Sequence, residues 1–206
     1  ISEADSGVVE ALTKGFDLAA GKFLCWLNAD DVYITKSALK LAATAITTSN
    51  YNFYYGHPVS LNEAGIITRK HYAWSATPRQ HAVGANIFTG AMFFYKKLWE
   101  EFPGFDSSLT VSFEHQLILH LLSKEKPGLI DAHIAGLRHH ENSLTQTNWN
   151  LIKEQRKKIF GTDVKKNIFD VLGRAYAMTK QSLLLPAIKN KFLRSDCGDH
   201  WTKFFL

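Results

Sequence analysis

Apolar residues recur at helical spacing from the start of the chain. Val8, Val9, Leu12, Phe16 and Ala19 form a stripe near the 3.6-residue period, with Asp5 or Ser6 placed to cap it and Gly21 to end it. The pattern then changes. Phe23–Leu27 (FLCWL) is a short unbroken apolar run that reads as a strand covered on both faces, and it passes directly into Asn28, Ala29, Asp30 and Asp31. Thr35 can cap a second helix reaching Ile46, with Leu39, Ala42, Ala43 and Ile46 on one side. Helix, strand and helix in that order predict a layered α/β sheet.

Further along, residues 51–74 alternate around a turn at Asn62–Gly65, the pattern of a hairpin. Gly90–Tyr95 reads as a strand leading into a short helix, then a turn at Pro103–Asp106, a helix over Phe113–Ser123 and a strand over Leu129–Arg138. From Thr147 the chain is helical and basic, broken near Gly161 and Pro186. The organisation expected is therefore a first part over 1–50, a second over 51–146 and a basic helical extension over 147–206.

Composition changes this picture little. With 206 residues, 46% of them hydrophobic and 13% aromatic, the chain can bury a real core. No apolar run approaches the roughly 20 residues that a membrane span needs, and there is no signal-peptide pattern, so a cytoplasmic location is expected. Cys25 and Cys197 are too far apart to suggest a disulfide framework or metal-ligand spacing. A net charge of +5 favours anionic partners, and the excess sits mostly in the last quarter. The first residue is Ile1, with a motif already under way at Ser2, so a fragment or processed chain is expected.

The chemistry lies where the apolar run ends. In an open α/β sheet, ligands bind beyond the carboxyl ends of strands, which is where Asn28–Asp31 would fall. Adjacent carboxylates repel each other and resist burial, so they are solvated or share a cation. A hard divalent ion that bridges to diphosphate oxygens is one partner; a turn before the Thr35 helix is the other reading, and the four residues alone leave both open.

The segment SEADSGVVEALTKGFDLAAGKFLCWLNADDVY resembles the middle of the nucleotide-binding half of glycosyltransferase family 2, of the polysaccharide-building type. Ser2, Glu3, Asp5, Gly7, Ala11, Lys14, Gly15, Ala19, Gly21, Leu27, Asn28, Asp30 and Asp31 fall on the family's SEPDxGxxDAxNKGxxxAxGxxxxxLNxDD pattern. Downstream, FTGAMFFYKKLWEEFPGFDSSL is similar to its acceptor-side strand, helix and GGFDxxL turn, and Glu114 opens the helix that follows. LRHHENSLT is similar to the family's RxHxxSxT, with Arg138, His140, Ser143 and Thr145 on the motif.

The resemblance implies a GT-A fold, a Rossmann-like layered sheet with a nucleotide-sugar half and an acceptor half. It also implies an inverting transfer of a sugar from a nucleoside-diphosphate donor to a hydroxyl of a glycan or lipid-linked acceptor. On this reading a divalent metal, Mn2+ or Mg2+, is held by Asp31 with Asp30 or Asn28 assisting, and His140 completes the metal or diphosphate site. Glu114 would be the base that takes the acceptor proton, and Arg138 would pair with phosphate or support the loop. Asp5 and Lys14 would contact the donor; a helix cap and a solvated helix charge are their simpler roles.

The chain also departs from the family. The leading strands, of the SxIIPTYN and DDGSTD type, have no match ahead of Ile1, which implies N-terminal truncation. Thr13 stands where Asn is usual, Gln116 where a second acid is common, and Glu114 replaces Asp. The basic tail, with Ile168, Phe169, Leu172, Leu183 and Trp201 among its lysines, suits either an anionic membrane surface at the inner face of the plasma membrane or packing on the domain. The competing class is a noncatalytic remnant or binding module that needs a partner chain. Nucleic-acid binding has only composition behind it and is not expected.

Overall fold

The computed structural model describes residues 3–84, 87–141, 143 and 147–161. In chain order the strands are β1 (Phe23–Leu24), β2 (Val32–Tyr33), β3 (Phe53–Leu61), β4 (Ile67–Lys70), β5 (Met92–Tyr95) and β6 (Gly128–Arg138). The helices are α1 (Val8–Leu18), α2 (Ala38–Thr48), α3 (Pro78–Ala82), α4 (Lys96–Glu100), α5 (Glu114–Lys124) and α6 (Trp149–Phe160), with a 3-10 turn at Thr89–Ala91.

β3 is the spine, because its large side chains find cover on both faces. It runs antiparallel to β5 on one side and parallel to β6 on the other, within the sheet order β1-β5-β3-β6-β2; β4 also pairs with β3. The two-residue period of the strands divides their side chains between two cores. Phe53, Tyr55, Met92 and Phe94 pack with Phe16 of α1, Leu98 and Trp99 of α4, and Leu117, Ile118 and Leu121 of α5. Tyr54, Phe93, Ile130 and Ile134 pack on the other side with Ala38 and Ala42 of α2. The result is a sheet between helical layers, the α/β class expected. Close approach of β3 and β6 requires a glycine: a Cβ on Gly56 would lie 2.3 Å from Ile134 Cγ1.

Two expectations are corrected. The apolar run Phe23–Leu27 forms not a central strand but a two-residue strand that pairs with β5 alone, and Cys25 is exposed. Its ladder ends at Leu24 because β1 and β2 lie at opposite edges of the described sheet, so residues 25–31 must cross it. Apolarity in this run serves that crossing: Trp26 packs on one core and Leu27 on the other. The second correction is α3, which sequence patterning did not single out. It carries a complete capping box, Thr77 Oγ1 accepting from Gln80 N and Gln80 Oε1 accepting from Thr77 N.

The hairpin forms as expected, with Gly65 N donating to Asn62 O at 2.9 Å and Ile66 N to Asn62 Oδ1 at 2.8 Å. Among the described residues no helix is long and apolar enough to cross a membrane. Thr145 and the tail beyond Gly161, including its expected membrane-facing pattern, lie outside the described residues.

Candidate functional site

The parallel pair β3 and β6 sets where the site forms. Both strands end together, Leu61 opposite Arg138, and His139 N donates to Leu61 O at 2.9 Å. β2 pairs antiparallel with the same end of β6, Val32 opposite Gly136, so the Asn28–Asp31 loop arrives beside Arg138, His139 and His140. Residues separated by more than a hundred positions are thereby joined at the carboxyl end of a parallel pair, the position that ligands occupy in open α/β sheets.

The two carboxylates of that loop have opposite fates. Asp31 is only 4% exposed. Its Oδ1 accepts from Arg138 N at 3.1 Å and its Oδ2 from Asn28 Nδ2 at 2.8 Å, and Asn28 Oδ1 in turn accepts from Trp26 Nε1 at 3.2 Å. Burial pushes the Asp31 carboxyl above its usual range, against the pull of those two donors. Asp30 faces outward, with 42% of its side chain exposed, and its Oδ2 lies 3.1 Å from His140 Nε2. Arg138 ties the loop from behind, donating through Nε to Asp30 O at 2.9 Å and through Nη1 to Glu63 O at 2.7 Å. Its guanidinium thus bonds backbone carbonyls of the loop and the hairpin, supporting the loop directly.

The other expected donor residues lie on α1 and just ahead of it. Asp5 Oδ1 accepts from Gly7 N at 2.9 Å just before the helix, and Lys14 Nζ forms ion pairs with Glu10 at 2.8 Å and Glu3 at 3.0 Å. Both are engaged in holding the helix start. Thr13 and Asp17 of the same helix line an open cavity of about 400 Å³ with Lys96, Trp99, Glu100 and Phe102, a group that includes none of the candidate residues.

Glu114 belongs to a second group. It opens α5, where a carboxylate faces the helix N-terminus favourably, yet burial pushes its carboxyl up to about 7. Its Oε1 lies 3.9 Å from His115 Nε2, and the charge of Arg156 opposes the upward shift. His115 Nδ1 is 3.0 Å from His81 Nε2, and Arg156 Nη1 contacts His115 Nε2 while its Cζ lies over Phe160, 4.9 Å from the ring centre.

His81, His115, Gln155 and Arg156 did not stand out in the sequence. The readable signals were the capping box that builds α3 and the i, i+4 pair of Arg156 and Phe160 on one face of α6. Gln155 is 6% exposed, and its Oε1 accepts from the backbone N–H groups of Thr110, Val111 and Ser112 at 3.1–3.2 Å. Lys158 bonds Asp106 at 2.7 Å. The helix after residue 147 is therefore bound to the segment that delivers Glu114.

A comparison of folds is informative at this point. The fold is glycosyltransferase-like. The chain is similar to two crystal structures of S. aureus TarS, a family 2 glycosyltransferase. One matches with a TM-score of 0.52 at 12% identity over 77% of this chain and 28% of that one. The other, of TarS 1-349, matches with a TM-score of 0.52 at 13% identity over 91% of this chain and 54% of that one. The chain thus spans about half or less of the proteins it matches, and at such identities the likeness concerns the fold. No protein-family model and no curated protein matches the sequence.

The residues present can be tested against the metal that the resemblance implies. Among the described residues no three His, Cys, Asp or Glu side chains gather to hold an ion. A divalent ion that bridges diphosphate oxygens needs only one or two protein ligands. Asp30 Oδ2, exposed, and His140 Nε2, half-buried and 3.1 Å from it, fit such a two-ligand site better than the buried, doubly engaged Asp31.

Proposed function

We propose that the protein transfers a sugar from a nucleoside-diphosphate donor to a hydroxyl of a glycan or lipid-linked acceptor, with inversion and with a divalent metal, in the cytoplasm. The observation that carries this reading is the joining of Asp30 and His140 by the Asp31–Arg138 latch at the end of β3 and β6, in a glycosyltransferase-like fold.

On this reading Asp30 and His140 hold Mn2+ or Mg2+, which would neutralise charge on the departing diphosphate. Asp31 is reassigned: its buried carboxylate fixes the loop through Arg138 N and Asn28, so that Asp30 is already aimed outward before substrate binds. Arg138 spans Asp30 O and Glu63 O and keeps the loop against the hairpin. Glu114 takes the acceptor proton. A carboxyl lifted to about 7 is matched to that task, since it is ionised in part at neutral pH and still basic enough to accept a proton. Asp5 and Lys14 shape the start of α1, and donor contacts there would have to be made alongside their present partners.

The test is release of nucleoside diphosphate from a panel of nucleotide sugars by the full chain, with Mn2+, with Mg2+ and after chelation. Metal-dependent release that Asp30→Asn abolishes supports the reading. Metal-dependent nucleotide binding without turnover would overturn the transfer step alone, and failure to bind any nucleotide would favour the noncatalytic remnant that needs a partner chain.

A further inference from the structure

Helix α6 contributes to this site through a residue that is not part of any recognised motif. Arg156 projects from α6 into the space between α3 and α5, where it contacts His115 Nε2, approaches Ala82 O through Nη2 at 3.4 Å and places its Cζ over the Phe160 ring. A guanidinium only donates, so His115 Nε2 must accept. The His115 proton is then on Nδ1 and is given to His81 Nε2, 3.0 Å away. His81 therefore carries its own proton on Nδ1, which is buried and has no partner among the described residues. Both imidazoles are held neutral in this arrangement, so the group carries one positive charge, and it resides on Arg156. Beside it sits the Glu114 carboxylate, 3.9 Å from the neutral His115.

We propose that Arg156 is a positioning residue for Glu114: through His115 it fixes the first turn of α5, and it supplies a positive charge to a half-buried carboxylate. The proposal rests on Glu114 acting as the base in the transfer described above. Among the described residues, His115 on its own helix lies beside that carboxylate, His81 on α3 packs on His115, and Arg156 on α6 supplies the positive charge. Desolvation raises the Glu114 carboxyl, desolvation lowers both histidines, and Arg156 draws Glu114 back toward ionisation. Loss of the arginine charge should therefore leave Glu114 protonated at a pH where the native enzyme has it ionised. Gln155, the preceding residue, binds three successive backbone N–H groups just ahead of Glu114, so neighbouring residues of α6 fix both the position and the charge of the base.

The experiment is a 13C titration of the glutamate carboxyls in the full chain, with Glu114 assigned by Glu114→Gln, comparing native protein with Arg156→Gln and Arg156→Lys. The Glu114 midpoint should rise in Arg156→Gln and stay near the native value in Arg156→Lys. Turnover of Arg156→Gln at pH 7 should fall about tenfold, recover as the pH is raised, and show little change in KM. A midpoint unmoved in a folded Arg156→Gln overturns the proposal. Should that variant not fold, 15N shifts of the native histidines decide: His115 must carry its proton on Nδ1 and His81 on Nδ1, and a proton on His115 Nε2 overturns it equally. A carboxyl midpoint that moves as described in a protein without sugar-transfer activity would count against the proposed function, leaving the electrostatic coupling in place.

Discussion

The two halves of the candidate site use the same three side-chain types to opposite ends. Around Asp30 an arginine bonds backbone carbonyls, a second carboxylate is buried as an anchor, and the working carboxylate remains exposed beside a half-buried histidine. Around Glu114 the arginine faces the histidine and the carboxylate themselves, and all three groups are half-buried. The difference shows what each half suits. An exposed carboxylate can hold a cation, whereas one raised by desolvation keeps its proton affinity high enough to take a proton from a hydroxyl.

That contrast can be broken by pH, and the largest effect is expected on the acid side. Burial lowers His81 to about 4 and His115 further, and across the sheet it lowers His133 to about 4. Unfolded histidines titrate near 6.5, so between those values the unfolded chain binds more protons and stability falls as the pH falls. A loss on the order of 5 kcal/mol between pH 6.5 and 4 is expected, read as a falling midpoint in urea.

Glu114 gives a slope of the other sign. Its folded carboxyl titrates near 7 against a usual 4.5, so the folded state binds more protons between them and stability falls as the pH rises. Glu114→Gln removes that penalty. The variant should match the native protein at pH 4.5 and exceed it at pH 8 by up to about 3 kcal/mol in urea unfolding. Equal stability at pH 8 would mean that the carboxyl is not desolvated.

The smallest stability effects belong to the exposed half, where they sharpen the contrast. Arg138→Ala removes two bonds to backbone carbonyls and should cost about 1 to 2 kcal/mol. Asp30→Asn should change stability by less than about 0.5 kcal/mol in the same assay while abolishing metal-dependent nucleotide binding. A variant that loses binding only because it unfolds would contradict the division of labour between Asp30 and Asp31.

Much of the framework was legible because periodicity reports local burial. The stripe of α1, the hairpin about Asn62–Gly65, α5 and β6 all follow from patterns contained within their own segments. Phe23–Leu27 misled because an unbroken apolar run signals cover without saying what provides it. Here the cover comes from a crossing between sheet edges and not from flanking strands. The site was legible in the same partial way. The Asn28–Asp31 loop and the Arg138–His140 segment could be singled out, but which aspartate faces water depends on Arg138, 107 positions away from Asp31. The surroundings of Glu114 depend on α3 and α6, and no local pattern around Glu114 announces either helix.

The most direct test of the account is calorimetric titration of a nucleoside diphosphate into the full chain and into Asp30→Asn, each with Mn2+ and with chelator. The account predicts binding to the native chain that requires the metal and disappears in Asp30→Asn while the fold persists. Binding that is indifferent to metal, or that survives in Asp30→Asn, would contradict it.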